Sequence, residues 1–218
     1  MDKFNFNRNQ MITLAQRNLA YNIFNSARLE RVNVSLQQIN NIIHSKSELD
    51  IDKDDLQIIL NLHNAWKYIL SNPNVEFSLD YACKVNSFVS FKQSLDWGKL
   101  RYGSVGIVGV NYKPVIPVER NVRKEINTIL SSNESITWKA IMYMLYGMRS
   151  QLFWDGNKRT SILCANKLLI QYGKGLITVP EMYLPEFHER LSQFYETNDY
   201  SKIYNFIYDK CLYSYEIV

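Results

Sequence analysis

The side chains best suited to chemistry lie in one ten-residue stretch, residues 151–160. It reads Gln-Leu-Phe-Trp-Asp-Gly-Asn-Lys-Arg-Thr and separates two apolar runs of helical character, at 136–148 and 161–172. A helix that begins in this stretch presents backbone N–H groups without intrahelical partners, and its dipole adds positive charge, so it suits an anion. Gly156 and Asn157 are the expected anion seat, because glycine permits close backbone approach and asparagine tolerates left-handed dihedral angles.

Two cations and a carboxylate flank this seat. Lys158 and Arg159 fall in the first helical turn, where positive charge opposes the helix dipole unless a negative group is near. Their placement indicates a bound polyphosphate. Asp155 could hold a divalent metal between phosphate oxygens, because hard cations prefer carboxylate ligands and water. The alternative is an ordinary helix start, in which Asp155 only caps the helix and both cations point into solvent.

The same stretch resembles the signature loop of the Fic/Doc family, which reads His-Pro-Phe-x-(Asp/Glu)-Gly-Asn-(Gly/Lys)-Arg. Phe153, Asp155 and residues 156–159 match this pattern in register, whereas Gln151 stands where the family has histidine. The resemblance implies an all-α fold, a Fic-type helical bundle with a short β-hairpin flap.

The resemblance also implies a nucleotide site with ATP and Mg²⁺ as cofactors. Most family members transfer AMP from ATP to a Ser, Thr or Tyr hydroxyl of a protein, and the histidine takes the hydroxyl proton. The Doc-type branch, which has lysine before the arginine as Lys158 is here, transfers the γ-phosphate instead. The implied roles are metal ligation by Asp155, an anion hole at Gly156 and Asn157, triphosphate neutralisation by Lys158 and Arg159, and anchoring of the loop by Phe153.

Gln151 is the main departure from the family. A primary amide has no protonation equilibrium near neutral pH, so it cannot act as a general base, and losing a positioned base costs about 10²–10⁴-fold in rate. We therefore expect a protein adenylyltransferase-like chain with impaired catalysis. Two alternatives stay open: a non-catalytic interaction module that regulates a partner protein, and a Doc-like protein phosphotransferase toxin. Whether Gln151 is natural or a deliberate replacement is also open, and His188 is the residue that could approach it in space.

A second family feature is the inhibitory motif (Ser/Thr)-x-x-x-Glu-(Gly/Asn). Ser26 and Glu30 fit it one helical turn apart, and Arg31 departs from it. In the family the glutamate pairs with a second arginine, three positions after the first, and blocks productive triphosphate binding. Ile162 occupies that position here, so Glu30 could reach only the two loop cations. The alternative is a helix-end glutamate that pairs with a neighbouring arginine.

Residues 102–117 differ in character from the rest of the chain. Branched residues at a period near two are interleaved with glycines, and a turn signal separates two extended halves, which predicts a short β-hairpin. Two prolines in the second half remove ladder donors, so one edge is expected to stay open. In the Fic family the corresponding flap docks a protein target by strand addition, and Val108, Gly109 and Tyr112 are the expected docking residues. The alternative is an ordinary connecting loop.

Composition and charge place the chain among ordinary globular proteins. Its 218 residues are 46% hydrophobic, enough for one sizeable core. A net charge of +4, from 25 basic and 21 acidic residues, does not favour a nucleic-acid partner. There is no apolar run of membrane-spanning length and no signal-peptide core, so we expect a soluble, cytoplasmic protein. Cys83, Cys164 and Cys211 lack metal spacing and agree with a reducing compartment; association into a homo-oligomer is left open.

Helical periodicity and capping signals predict helices along most of the chain. We expect one Fic-like domain over 1–218, with the inhibitory-motif region at about 9–45 and the Fic core at about 78–196. The predicted helices run from about Asn9 to Phe24, Ser35 to His44, Asp52 or Asp55 to Leu70, Ser78 to Trp97, Val122 to Leu130, Ser135 to Met148, the signature loop to Gly173, Glu181 to Tyr195, and Tyr200 to Tyr213.

Overall fold

The computed structural model describes residues 1–44 and 51–215, which form a helical bundle. The helices are α1 (Arg8–Arg17), α2 (Leu19–Leu29), α3 (Leu36–Ile43), α4 (Lys53–Ser71), α5 (Leu79–Val89), α6 (Glu119–Ser131), α7 (Ile136–Ser150), α8 (Asn157–Tyr172), α9 (Leu184–Thr197) and α10 (Ser201–Phe206). A 3₁₀ turn (Glu181–Tyr183) precedes α9, and a π-helical turn (Ile207–Cys211) continues α10. Strands β1 (Leu176–Ile177) and β2 (Leu212–Tyr213) pair antiparallel, with Leu176 opposite Tyr213. The prediction of an all-α fold is confirmed.

The predicted capping residues begin and end several of these helices. Ser35 forms the predicted capping box of α3, and the side chains of Asp52, Ser78 and Ser135 accept hydrogen bonds from first-turn amides of α4, α5 and α7. Gly173 follows α8 in the left-handed conformation, with φ +74°. Because each cap satisfies groups that the helix leaves unpaired, local sequence sets these boundaries.

Helix α8 lies at the centre of the bundle. Its residues are buried from Arg159 to Ile170, and it packs against α1, α4, α5 and α7. Gly147 lets α7 approach α8 closely, because a Cβ at this position would lie 2.5 Å from Ser161 Oγ. The N-terminus of α8 and the loop before it are therefore held by several packed helices.

The predicted first helix is wrong in one respect: it is two helices, divided at Asn18. The backbone N–H and the side-chain Nδ2 of Asn18 both donate to the Leu14 carbonyl, at 3.0 and 3.1 Å. This local side-chain bond offers the backbone an alternative to continuing the helix. The chain then restarts as α2 and extends to Leu29, past the predicted end at Phe24.

Two other helical segments are shorter than predicted. Helix α5 ends at Val89 rather than near Trp97, and the chain then turns through Lys92, which has φ +59°. The last helical segment ends at Cys211, because the next two residues pair with β1.

The segment 102–117, which we call the flap, contains the predicted turn without a strand ladder. The Val110 N–H donates to the Ile107 carbonyl at 3.3 Å, and Gly109 has φ +83°. Within the described residues the paired strands are β1 and β2, and neither arm of the flap joins them. The prolines of the second arm cannot donate to a ladder, and the Arg101 side chain bonds carbonyls of both arms instead.

The helices and the cysteines can be compared with two expectations that were drawn from composition. Over residues 1–44 and 51–215, no helix combines the length and the apolar character needed to cross a membrane. Cys164 and Cys211 are buried free thiols, and Cys83 is half-buried.

Candidate functional site

The loop between α7 and α8, residues 151–156, makes a sharp turn. Gln151 ends α7 with left-handed dihedral angles, φ +46° and ψ +60°, and Gly156 precedes α8 with φ +71°. Position 156 requires glycine, because a Cβ would lie 2.5 Å from Ser90 Oγ and 2.7 Å from Val89 Cγ1. Helix α5 therefore packs directly on the loop backbone.

Polar side chains hold the loop in one shape. The Asp155 carbonyl accepts hydrogen bonds from Asn86 Nδ2 at 3.0 Å and from Ser90 Oγ at 2.9 Å. The Asn157 side chain accepts from the Phe153 N–H at 2.9 Å and donates to the Phe153 carbonyl at 2.8 Å. Phe153 is buried. Because the Asn157 side chain is used inside the loop, its contribution to an anion seat is its backbone amide.

A cavity of about 400 Å³ opens against this loop. Four parts of the chain line it: the end of α2, the flap turn, the loop with the start of α8, and one face of α9. The lining residues are Leu29, Glu30 and Arg31; Gly106, Ile107 and Val108; Gln151 and residues 154–158; and His188, Leu191, Ser192 and Tyr195. The fold thus brings the signature-like loop and the inhibitory-motif-like segment to the same cavity.

The two cations of the loop have different surroundings. The Lys158 side chain lines the cavity and is 28% exposed. The Arg159 side chain is 3% exposed and lies behind the wall, where it donates to Asp155 Oδ2 at 2.9 Å and to Gln93 Oε1 at 3.1 Å. The first α8 amide with an intrahelical acceptor is that of Thr160, so the amides before it are the unpaired donors of a helix start.

Glu30 contacts both cations. Its Oε1 lies 3.7 Å from Lys158 Nζ and 3.6 Å from Arg159 Nε. Arg159 Nε is buried and has no hydrogen-bond partner among the described residues. Arg28 pairs with Glu181 at 2.5 Å rather than with Glu30. The contacts therefore agree with the expectation that Glu30 reaches the loop cations.

The other residues of the inhibitory-like motif occupy the end of α2. Ser26 is buried, and Glu30 follows the last helical residue as the C-cap. Arg31 has φ +65°, a conformation that glycine and asparagine adopt at little cost. Arg31 therefore adopts, with strain, a conformation that would suit the Gly or Asn that the inhibitory motif has at this position.

Gln151 is held by hydrogen bonds at both ends of its amide. Its Nε2 donates to the Met148 carbonyl at 2.7 Å, and its Oε1 accepts from Asn157 Nδ2 at 3.1 Å. Ile162, at the position of the family's second arginine, is buried. The cavity wall therefore presents a neutral amide where the resemblance would put a base.

His188 faces the same cavity from α9. Burial lowers the pKa of its imidazole, and the nearby charges of Lys158 and Arg31 lower that pKa further, while Glu30 acts in the opposite direction. His188 is therefore mainly neutral at pH 7. Burial and then Glu30 raise the pKa of Tyr195, which stays a neutral hydroxyl.

Apart from His188, the α9 wall is the part of the site that sequence reasoning missed. His188, Leu191, Ser192 and Tyr195 recur at i, i+3, i+4 and i+7, the spacing of one helix face. That spacing predicts a face packed on a core, and only the tertiary arrangement opens part of it to a cavity. Trp154, inside the loop, lines the cavity as well.

Asp155 is the residue best placed to bind a metal. Its side chain is 40% exposed in the cavity wall, although Oδ2 also accepts from Arg159. In the described part of the chain, no three His, Cys, Asp or Glu side chains converge as a metal cluster. A divalent ion here would therefore depend on phosphate oxygens and water for its remaining ligands.

The flap residues named from the sequence have different environments. Val108 is fully exposed at the tip, beside Gly109. The Tyr112 ring lies under the Arg149 guanidinium at 3.8 Å, and the Asn111 N–H donates to Glu196 on α9. The tip is thus open to a partner, while the second arm is attached to α7 and α9.

Comparisons with known proteins give the fold. No protein-family model matches this sequence, and no curated protein matches it. Among solved structures, it is similar to Fic-1 (residues 134–508) of C. elegans, with TM-score 0.77 and 17% identity over 89% of this chain and 60% of that one. It is also similar to a Fic family protein from Desulfovibrio desulfuricans, with TM-score 0.73 and 16% identity over 88% of this chain and 61% of that one. A third similar structure is a Fic domain containing signaling protein from Bacteroides thetaiotaomicron, with TM-score 0.70 and 16% identity over 82% of this chain and 72% of that one.

The chain spans about three fifths of the length of the first two of these structures. At these identities the likeness establishes the architecture. The chain has the Fic fold, and the prediction of a Fic-type helical bundle is confirmed.

Proposed function

We propose that this chain binds ATP with Mg²⁺ at the N-terminus of α8 and is built to transfer AMP to a protein hydroxyl, with the chemistry impaired by Gln151. The observation that carries the proposal is the position of the Glu30 carboxylate, 3.6–3.7 Å from Lys158 and Arg159 in a cavity at a helix start. An internal carboxylate at this point marks a place where negative charge is stabilised.

The fit to a triphosphate rests on three groups. Lys158 supplies a flexible cation on the cavity wall, and the first amides of α8 supply donors that need no rearrangement. Arg159 supplies a fixed positive charge behind them, and its Nε–H group is buried and has no hydrogen-bond partner in the part of the chain that the structure describes. Because α5 and the loop side chains already fix this geometry, little ordering is needed when an anion binds.

Asp155 is the proposed ligand of Mg²⁺. One carboxylate together with phosphate oxygens and water is an ordinary coordination set for this ion. Bound there, Mg²⁺ would neutralise charge on the phosphates. The residues of the chain then have the tasks of orienting the triphosphate and presenting the target hydroxyl to it.

Gln151 limits the reaction. In AMP transfer the hydroxyl oxygen attacks the α-phosphorus, pyrophosphate leaves, and the hydroxyl proton must pass to a base. The Gln151 amide cannot accept that proton, so we expect a rate lower by about 10²–10⁴-fold than with a positioned base.

Glu30 has the proposed role of an inhibitor. Its carboxylate occupies the neighbourhood of both cations, so a phosphate group that approaches them would meet like charge. A triphosphate must displace Glu30 or bind around it, and either requirement lowers affinity.

The flap is the proposed docking site for a protein target. It is extended, it lacks a strand ladder, and it exposes Val108 fully and Val115 at 81%. Open backbone groups beside exposed apolar side chains are what strand addition by a peptide requires.

A second candidate function is a non-catalytic interaction module. The observation that favours it is the bonding of the Gln151 amide at both ends, to Met148 and Asn157. At this position glutamine has a structural role that does not depend on proton transfer.

Restoring a base tests the two candidates. The variant Glu30→Gly with Gln151→His is incubated with Mg²⁺ and ATP labelled at either the α- or the γ-phosphate, and modification of the chain itself or of added protein is counted. Label from the α-phosphate supports AMP transfer, and label from the γ-phosphate would replace it by phosphotransfer. The matched control is Gln151→Asn in the same background, which should label about 10²–10⁴-fold more slowly because it also lacks a base. If neither the α-phosphate nor the γ-phosphate label is transferred to protein, the interaction module is favoured.

A further inference from the structure

Arg101 is a buried arginine whose hydrogen-bond acceptors, within residues 1–44 and 51–215, are all backbone carbonyls. It is 1% exposed, and the acceptors of its guanidinium are five carbonyl oxygens rather than a carboxylate. Burying a charge without an opposite charge is expensive, so the hydrogen bonds of such a group must offset its lost hydration.

One side of the guanidinium holds the loop. Nε donates to the Gln151 carbonyl at 2.5 Å, and Nη2 lies 3.4 Å from the Ser150 carbonyl. The backbone N–H of Arg101 donates to the Leu152 carbonyl at 3.0 Å. These carbonyls lie at the C-terminal end of α7, where helix carbonyls lack partners and a cation is favourable. Arg101 thus caps α7 at the point where Gln151 adopts left-handed angles.

The other side of the guanidinium holds the flap. Nη1 donates to the Gly103 carbonyl at 2.6 Å, in the first arm, and Nη2 donates to the Val115 carbonyl at 2.6 Å, in the second arm. Since the arms form no ladder with each other, this side chain closes the flap at its base. Gly103 also packs on Trp154 of the loop, since a Cβ there would lie 2.5 Å from the indole ring.

We propose that Arg101 is a positioning residue that fixes the flap and the loop relative to each other. The flap turn forms one wall of the cavity and Gln151 another, and the Arg101 guanidinium bonds the backbone beside both, so it helps to set the distance between the docking surface and the reacting position. A peptide that binds the flap and shifts either arm would also shift the Arg101 guanidinium, and with it the end of α7. This coupling of docking to the nucleotide site rests on the proposed function, whereas the structural clamp does not.

Native-state cleavage by chymotrypsin tests the clamp. Tyr102 and Tyr112 place cleavable bonds in the flap, and mass spectrometry locates the cuts. We expect Arg101→Lys and Arg101→Ala to raise the rate of cutting within the flap about tenfold or more, because hydrogen bonds to a charged group are lost. The matched control is Arg120→Ala, since Arg120 is exposed just after the flap. Unchanged cutting in both Arg101 variants would overturn the proposal.

Chemical rescue separates the clamp from a general loss of packing. Ethylguanidinium added to Arg101→Ala should slow flap cutting toward the original rate, and ethylammonium should not, because only the planar fork can bond both arms and the loop. Equal effects of the two compounds would contradict a directional clamp. If Arg101→Ala does not fold, Arg101→Lys decides by the cutting rate alone.

Nucleotide affinity then tests the coupling. Calorimetry of Arg101→Lys should give an ATP affinity about tenfold below that of the original chain. Equal affinity would overturn the coupling. If the original chain binds no ATP, the proposed function fails, and the cleavage result still decides whether Arg101 clamps the flap.

Discussion

The Glu30 carboxylate lies 3.6 Å from Nε of Arg159, an atom that is buried and lacks a hydrogen-bond partner in the described part of the chain. The separation is too long for a good hydrogen bond and short enough for strong attraction. A phosphate oxygen bound at the start of α8 would compete with Glu30 for the same charge.

Removing this carboxylate should strengthen nucleotide binding. We expect Glu30→Gly to raise the affinity for ATP with Mg²⁺ about tenfold, because like charge beside the phosphates disappears. Titration calorimetry measures the change. The control is Glu181→Gln, which removes a carboxylate that pairs with Arg28 of α2, outside this cavity. Unchanged affinity in Glu30→Gly would count against the inhibitory role.

The loop should not tolerate a side chain at position 156. Gly156→Ala should destabilise the fold by about 2–4 kcal/mol, because it adds left-handed strain to a clash with Ser90 and Val89. Urea unfolding measures the loss. Gly106→Ala, where a Cβ meets nothing within 4 Å, should change the free energy of unfolding by less than about 0.5 kcal/mol. Equal effects at the two positions would show that the loop is not packed as described.

Replacing Arg31 by glycine should stabilise the chain. Its φ of +65° suits glycine, so Arg31→Gly should add about 1 kcal/mol and raise Tm by about 2–4 °C. The opposite sign is expected for Arg17→Gly, because Arg17 lies in the last turn of α1, where glycine is a weaker helix former than arginine. Thermal unfolding of both variants checks the pair. A lower Tm for Arg31→Gly would mean that the arginine side chain makes a stabilising contact that outweighs the strain.

Because of Lys167, the free energy of unfolding should depend on pH in the alkaline range. Its ammonium is buried, donating to the Pro73 carbonyl and Gln171 Oε1, and burial, with Arg8 nearby, lowers its pKa from 10.5 to about 8. Between these values the unfolded chain binds more protons than the folded chain. The destabilising contribution of Lys167 is therefore complete below pH 8 and is relieved as pH rises toward 10.5.

The comparison with Lys167→Met isolates this effect. Buried tyrosines and cysteines with raised pKa values, such as Tyr81 and Cys164, act in the opposite direction at high pH, but they are common to both chains. We expect the free energy of unfolding of the original chain, relative to Lys167→Met, to increase between pH 8 and 10.5 in urea titrations. A flat difference over that range would contradict a depressed pKa.

Capping residues in the sequence predicted the helix boundaries that depend on neighbouring residues. Ser35, Asp52, Ser78 and Ser135 cap helices because each bonds amides two or three residues away, so the sequence at those points suffices. The start of α8 was predictable from Gly156 and Asn157 in the sequence, although no described side chain caps this helix. The division at Asn18 was missed because apolar spacing continues across it, while a side-chain bond to Leu14 ends the helix.

Features that depend on distant partners were not predictable. The Arg101 guanidinium bonds a carbonyl 50 positions away, and nothing in the neighbouring sequence indicates that this side chain is buried. His188 was only a residue that could approach Gln151, and the packing of α9 is what brings it into the cavity. The burial of Arg159 behind the wall likewise follows from α5 and Gln93, which no spacing rule connects to the loop.

The central claim is that the start of α8 binds a triphosphate, and calorimetry with ATP and Mg²⁺ on Glu30→Gly tests it most directly. The comparison is Glu30→Gly with Lys158→Glu, which reverses the charge of the one loop cation that lines the cavity among the described residues. We predict binding of ATP, little binding of adenosine, and an ATP affinity at least about tenfold lower when Lys158 is reversed. No binding of ATP to Glu30→Gly, or equal affinity in the two variants, would contradict the account.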